Sequence, residues 1–239
     1  MTHRIDTLTV LDSPMEVFVC EPHQPGPHPA IVLCPHIPGA HGGIENDPYT
    51  LATARRYADS GFVVAVPFIF HWWPKTDDIG VKREGARDDR TAQDIRATVD
   101  HLSAMAGVDP ARIGIVGHCW GGRVSWLGAA SDDRLRACVV FYGGRIRLGL
   151  GDGNPPAISL APRIACPVMG FFGNDDTNPP PADVDAYDAA LNAAGVPHVF
   201  HRYDGAGHAF QLFDNPERYR PAASEDAWAK AVAFLHQTL

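Results

Sequence analysis

An apolar strand that runs straight into Gly117-His118-Cys119-Trp120-Gly121-Gly122 constrains this chain more than any other feature. Ile113-Gly114-Ile115-Val116 precedes the segment, and a helical stretch, Gly121 to Ala130, follows it. Cys119 therefore sits on the turn between a strand and a helix. Gly117 and Gly121 carry no Cβ, so the two elements can approach closely on either side of it. Such a turn holds its tip residue clear of the sheet, as a nucleophile requires. It also places the thiol at a helix N-terminus, where partial positive charge favours the thiolate.

The surrounding pattern alternates between strand and helix periods. Residues 7–20 alternate like an antiparallel hairpin, with Asp12-Ser13-Pro14 as its turn. Ala30-Ile31-Val32-Leu33-Cys34 is a short continuous apolar strand, as expected for a sheet covered on both faces. A helix is predicted from Pro48 to Ser60, with Asp47 as N-cap and Pro48 at its first position. Phe62 to Val66 reads as a strand, followed by an aromatic loop, Phe68 to Trp73. Asp88 to Met105 is an amphipathic helix with Ala92, Ile95, Val99 and Leu102 on one face. Strands at 137–142, 168–172 and 199–203 alternate with helices at 181–194 and 225–239. This β-α-β order predicts one domain over 1–239, with a mostly parallel central sheet and helices on both faces. No insertion is large enough to form a separate cap domain.

Composition narrows the function classes. A chain of 239 residues suits one core, and the net charge of −8 argues against a nucleic-acid partner. No apolar run reaches membrane-helix length, and Met1 to Asp6 carries no apolar leader core, so a cytoplasmic protein is expected. The five cysteines are widely spaced, which predicts neither a disulfide framework nor a cysteine zinc site. His36, His41 and His71 lie in loops that can face one cleft, but they lack the spacing of a metal site. No metal and no cofactor are expected.

Two later segments give Cys119 partners. An acyl-transfer triad on a sheet of this kind runs in the order nucleophile, acid, histidine. Gly173-Asn174-Asp175-Asp176 follows one apolar strand, and Gly205-Ala206-Gly207-His208 follows the last. Strand C-terminal ends share one edge of an open α/β sheet, so the three segments are expected to converge. Counting Gly-x-x-Asp from Gly173 selects Asp176 as the acid, with Asp175 as the alternative. In this scheme Cys119 attacks a carbonyl, His208 takes and returns the proton, and the aspartate orients the imidazole. The backbone N–H of Trp120 and that of Ile37, in the loop after the first core strand, are the expected oxyanion donors.

At these residues the chain resembles the dienelactone hydrolase family (carboxymethylenebutenolidases), within the α/β-hydrolase superfamily. The segments that carry the resemblance are Gly117 to Gly122, Phe172-Gly173-Asn174-Asp175-Asp176-Thr177-Asn178-Pro179 and Tyr203-Asp204-Gly205-Ala206-Gly207-His208-Ala209-Phe210. It implies an α/β-hydrolase fold and a hydrolase of small esters or lactones, acting through a Cys-His-Asp triad without a cofactor. It further implies a small-molecule partner and a monomer or homodimer. A thiol-dependent acyltransferase, another hydrolase, or a non-catalytic binding protein on the same scaffold are the alternatives.

Two positions depart from the family pattern. A glutamate that meets the resting thiol in well-known members is replaced by His36. An arginine that holds the substrate carboxylate, four residues after the catalytic histidine, is replaced by Leu212. Arg83, Arg87, Arg123 and Arg145 are the other candidate anchors. His36, Phe70, Trp72, Arg83 and Phe210 are the expected pocket residues.

Overall fold

The computed structural model describes residues 2–239. Strands β1 (Thr2–Val10) and β2 (Ser13–Glu21) form the N-terminal hairpin. Leu11 and Asp12 make its turn, with φ of 45° and 64°. A two-residue turn with both φ positive matches the right-handed twist of the strands. The turn therefore precedes Ser13 and Pro14, which pair in β2 instead of forming it.

Six further strands follow the order expected from the sequence, among them β3 (His28–Cys34), β4 (Val63–Pro67) and β5 (Val108–His118). The last three are β6 (Leu135–Phe141), β7 (Val168–Gly173) and β8 (His198–Tyr203), which brings the sheet to eight strands. Helices α1 (Pro48–Asp59), α2 (Ile79–Glu84), α3 (Asp88–Ala104), α4 (Trp120–Ala129), α5 (Pro181–Ala194) and α6 (Pro221–Thr238) connect and flank them. Helix α2 has no counterpart in the sequence reading. It is only six residues long, and its start is fixed by Asp78, whose carboxylate accepts the Gly80 N–H at 2.7 Å. Helix α6 begins at Pro221, ahead of the expected Glu225, because Pro is well placed at a first helical position.

The sheet order is β1-β2-β4-β3-β5-β6-β7-β8. Strand β2 meets β4 antiparallel, and every pairing from β4 to β8 is parallel. Every residue of β4 is buried, as a strand covered on both faces demands. After β3 the chain turns first to β4 on one side and then to β5 on the other. The crevice beyond the C-terminal ends of β3 and β5 is thus a topological switch point, where ligands of such sheets bind. Cys34 is in register with Gly117 there. The segments that follow, toward Ile37 and Cys119, consequently leave the sheet side by side. Among the described residues, no helix is long and apolar enough to cross a membrane.

Candidate active site

Close packing builds the turn at Cys119. A Cβ on Gly117 would fall 1.9 Å from the Gly121 carbonyl oxygen, and one on Gly121 would fall 2.1 Å from that of Cys34. Only glycine permits β3, β5 and α4 to meet at this distance. Cys119 itself has φ 57° and ψ −116°. Such a conformation costs a non-glycine residue about 1–3 kcal/mol, which the surrounding packing must impose. The Cys119 N–H donates to the Phe141 carbonyl at 3.0 Å, tying the turn to β6.

The loops after β7 and β8 complete the site. His208 Nε2 lies 3.0 Å from Cys119 Sγ, and His208 Nδ1 donates to Asp176 Oδ2 at 2.9 Å. The other Asp176 oxygen accepts the Asn178 N–H at 2.7 Å. Asp176 is buried, whereas the neighbouring Asp175 faces solvent. The structure therefore joins Asp176, and not the alternative Asp175, to His208.

The electrostatics of the pair are coupled. Burial alone would raise the Cys119 thiol, but the hydrogen bond and charge of His208 outweigh it. The N–H groups of Trp120 and Ile37 also reach the sulfur and pull in the same direction. The thiol consequently lies below its ordinary value. Burial would likewise lower His208, but Asp176 and Cys119 hold its proton and raise it. Both directions favour a thiolate beside an imidazolium.

A cleft of about 220 Å³ opens on Cys119 and His208. Trp120 and Ile37 line it, as do Arg83, Arg145 and Arg218. Those three guanidinium groups form no ion pair among the described residues. No carboxylate lines the cleft with them.

The dienelactone hydrolase family profile matches residues 15–239. The chain belongs to the dienelactone hydrolase family. That membership makes it a hydrolase. A Synechocystis protein provisionally named carboxymethylenebutenolidase is 30% identical over 232 residues, covering 92% of this chain and 90% of its own. The carboxymethylenebutenolidase of Rhodococcus opacus is 28% identical, over 80% of this chain and 77% of its own length. A Methylorubrum extorquens relative is 34% identical, but the match spans 63% of this chain and 51% of that protein. A crystal structure from Klebsiella pneumoniae subsp. pneumoniae, provisionally named a dienelactone hydrolase, aligns over 99% of this chain and 100% of its own. Its TM-score is 0.82, at 27% identity.

Against the family pattern, the expected pocket residues divide. Arg83 lines the cleft. His36 does not: it is buried and turned to Asp47, 2.7 Å away. Phe70 and Phe210 are buried in the core, where their apolar area is better placed than at a wet cleft. Trp72 is drawn aside by Asp94, to which its Nε1 donates at 3.3 Å, and packs on His71. Of the candidate anchors, Arg145 reaches the cleft. Arg123 is fully used in the interior, donating to both carboxylate oxygens of Asp88 at 2.6 and 2.9 Å. Arg87 pairs with Asp89 at 3.1 Å. Leu212 is half-buried against the core.

The sequence reading missed Gly144, Asn178 and Arg218, which also line the cleft. Asn178 stands two residues after Asp176, and that adjacency is a usable signal. Arg218 lies in an irregular segment with no period to mark it. The three loop histidines do not converge. His36 binds Asp47, His71 sits between Ser13 and Asp94, and His41 is exposed. Among the described residues, no group of three or more His, Cys, Asp or Glu is placed to hold a metal ion.

Proposed function

We propose that this hydrolase cleaves a small anionic ester or lactone through an acyl-cysteine intermediate. The observation that carries the reading is the line Cys119 Sγ, His208, Asp176, with steps of 3.0 and 2.9 Å, at the floor of a cleft. The Cys119 thiolate attacks the carbonyl carbon, and the carbonyl oxygen takes up the negative charge. The Trp120 and Ile37 N–H groups receive that charge as the carbon becomes tetrahedral. Collapse breaks the C–O bond, and His208 gives its proton to the leaving oxygen. His208 then takes a proton from water, whose oxygen attacks the thioester. The second collapse releases the acid and restores the thiolate–imidazolium pair. Asp176 holds the imidazole by Nδ1 throughout and stabilises its charged form.

The substrate class follows from the cleft. Its volume of about 220 Å³ admits only a small molecule. Three unpaired arginines and no lining carboxylate favour a substrate with an anionic group beside the scissile ester. Loss of the family arginine at Leu212 is offset by Arg145 and Arg218, which reach the same cleft from other segments. The test compares Cys119→Ala with the unaltered enzyme on p-nitrophenyl acetate and on short lactones with and without a carboxylate. The expected result is loss of all turnover in a folded variant, and preference of the unaltered enzyme for the carboxylated lactones. Retained turnover in Cys119→Ala would refute the reading.

A further inference from the structure

His36 leads out of β3 and stands at the start of a one-turn 3-10 helix, Ile37–Ala40. Its side chain is 7% exposed. Nε2 donates to Asp47 Oδ2 at 2.7 Å, and the same oxygen accepts the Thr50 hydroxyl at 2.6 Å. Burial would raise the Asp47 carboxyl, but the hydrogen bond and charge of His36 and the bonds from Thr50 hold it below the usual range. The carboxylate that starts α1 is therefore also the anchor of the turn. A Cβ on Gly39 would stand 2.9 Å from Asp47 Oδ2, so the turn packs directly on that anchor. At the far end, Lys82 Nζ donates to the Ala40 carbonyl at 2.6 Å. The turn is held at both ends, and its first N–H, that of Ile37, is the one that meets the Cys119 sulfur. The ring of His36 faces Tyr49, with centroids 4.9 Å apart, and it makes no hydrogen bond to Cys119 among the described residues.

We propose that His36 is a positioning residue. Through its bond to Asp47 it sets the Ile37 N–H where the substrate oxyanion develops, and it takes no proton from Cys119. This rests on the ester-hydrolase reading above. The physical case is a division of labour. His208 is the side chain bonded to the sulfur, whereas the Nε2 of His36 is spent on Asp47. What His36 controls is the place of the residue that follows it.

The experiment uses His36→Ala, His36→Gln and His36→Asn in the full chain, with Cys119→Ala measured alongside. Glutamine can put an N–H where the imidazole Nε2–H stands, and asparagine is too short to do so. With p-nitrophenyl acetate, His36→Ala and His36→Asn are expected to lower kcat about 10- to 100-fold, the scale of a displaced catalytic donor, with KM unchanged. Inhibition by trifluoroacetone, whose thiol adduct carries an oxyanion, should weaken by the same factor. His36→Gln should restore most of kcat. It should also keep the pH midpoint of Cys119 alkylation by iodoacetamide although glutamine cannot titrate, because His36 takes no proton from the thiol. If His36→Ala does not fold, the contrast of Gln with Asn decides alone. Equal damage in Gln and Asn, activity within twofold of the unaltered enzyme in all variants, or a shifted alkylation midpoint in His36→Gln would each overturn the proposal. Turnover by Cys119→Ala would instead overturn the underlying reading, so the two failures are distinct.

Discussion

Replacing Arg123 with methionine isolates what the buried ion pair beneath the site contributes. Arg123 is 2% exposed and Asp88 5%. The guanidinium donates to both Asp88 oxygens, at 2.6 and 2.9 Å, and to the carbonyls of Arg145 and Leu148 at 3.3 and 2.8 Å. Asp88 also accepts the Leu150 N–H at 2.9 Å. Methionine fills similar space but leaves a buried carboxylate without its cation. Breaking a buried pair from one side costs about 3–5 kcal/mol. A domain of this kind has about 5–15 kcal/mol in all. Arg123→Met should therefore remove about a fifth of the stability or more, read as the urea midpoint of tryptophan fluorescence at constant slope. Asp88→Leu should cost a similar amount, and the double variant no more than either alone, because neither charge is then stranded. The same pair holds the Arg145 carbonyl, so KM for anionic esters should rise in variants that remain folded. Single losses under about 1 kcal/mol, or a double loss equal to the sum, would refute the reasoning.

Further outcomes follow from the site. The Cys119 thiol lies below its ordinary value. Its alkylation by iodoacetamide should therefore persist below the free-thiol midpoint of about 8.5 and fade as pH falls through the lowered value. In His208→Ala burial is opposed only by the Trp120 and Ile37 N–H groups, and the midpoint should rise. Asp176→Asn should lower kcat by about 10⁴-fold with little change in KM, as expected when a histidine loses its orienting carboxylate. Charge removal at Arg83, Arg145 or Arg218 should raise KM for a carboxylated lactone, leave p-nitrophenyl acetate unaffected, and flatten the salt dependence of kcat/KM.

Much of the fold was legible because it is written in local periods. The buried strands and the helices appear in the expected order, and Asp47 N-caps α1 with Pro48 beside it, as read. The meeting of Cys119, His208 and Asp176 was legible for a related reason. Cys119, Asp176 and His208 each follow an apolar strand, and a parallel sheet brings strand ends to one edge. What escaped is contact across segments of irregular backbone. Arg123 resembles a substrate anchor in one dimension, but the loop near Leu148 returns over it and Asp88 neutralises it. His36 occupies a position that suggests the pocket, yet a carboxylate eleven residues later turns it inward. The aromatic run after β4 splits by side chain. Phe70 enters the core, and Trp72 is drawn to a buried aspartate whose own position depends on α3. Helix α2 is too short to show a period, although it carries both Lys82 and Arg83.

Hydrolysis through Cys119 requires an acyl group borne on its sulfur. Rapid quenching of the enzyme with p-nitrophenyl acetate, followed by mass spectrometry of the intact chain and its peptides, observes that species directly. The predicted result is a transient gain of one acetyl group, confined to the peptide that contains Cys119, formed with a burst of p-nitrophenol and absent in Cys119→Ala. Steady turnover with no acetylated chain and no burst, or acetylation on any other residue, would contradict it.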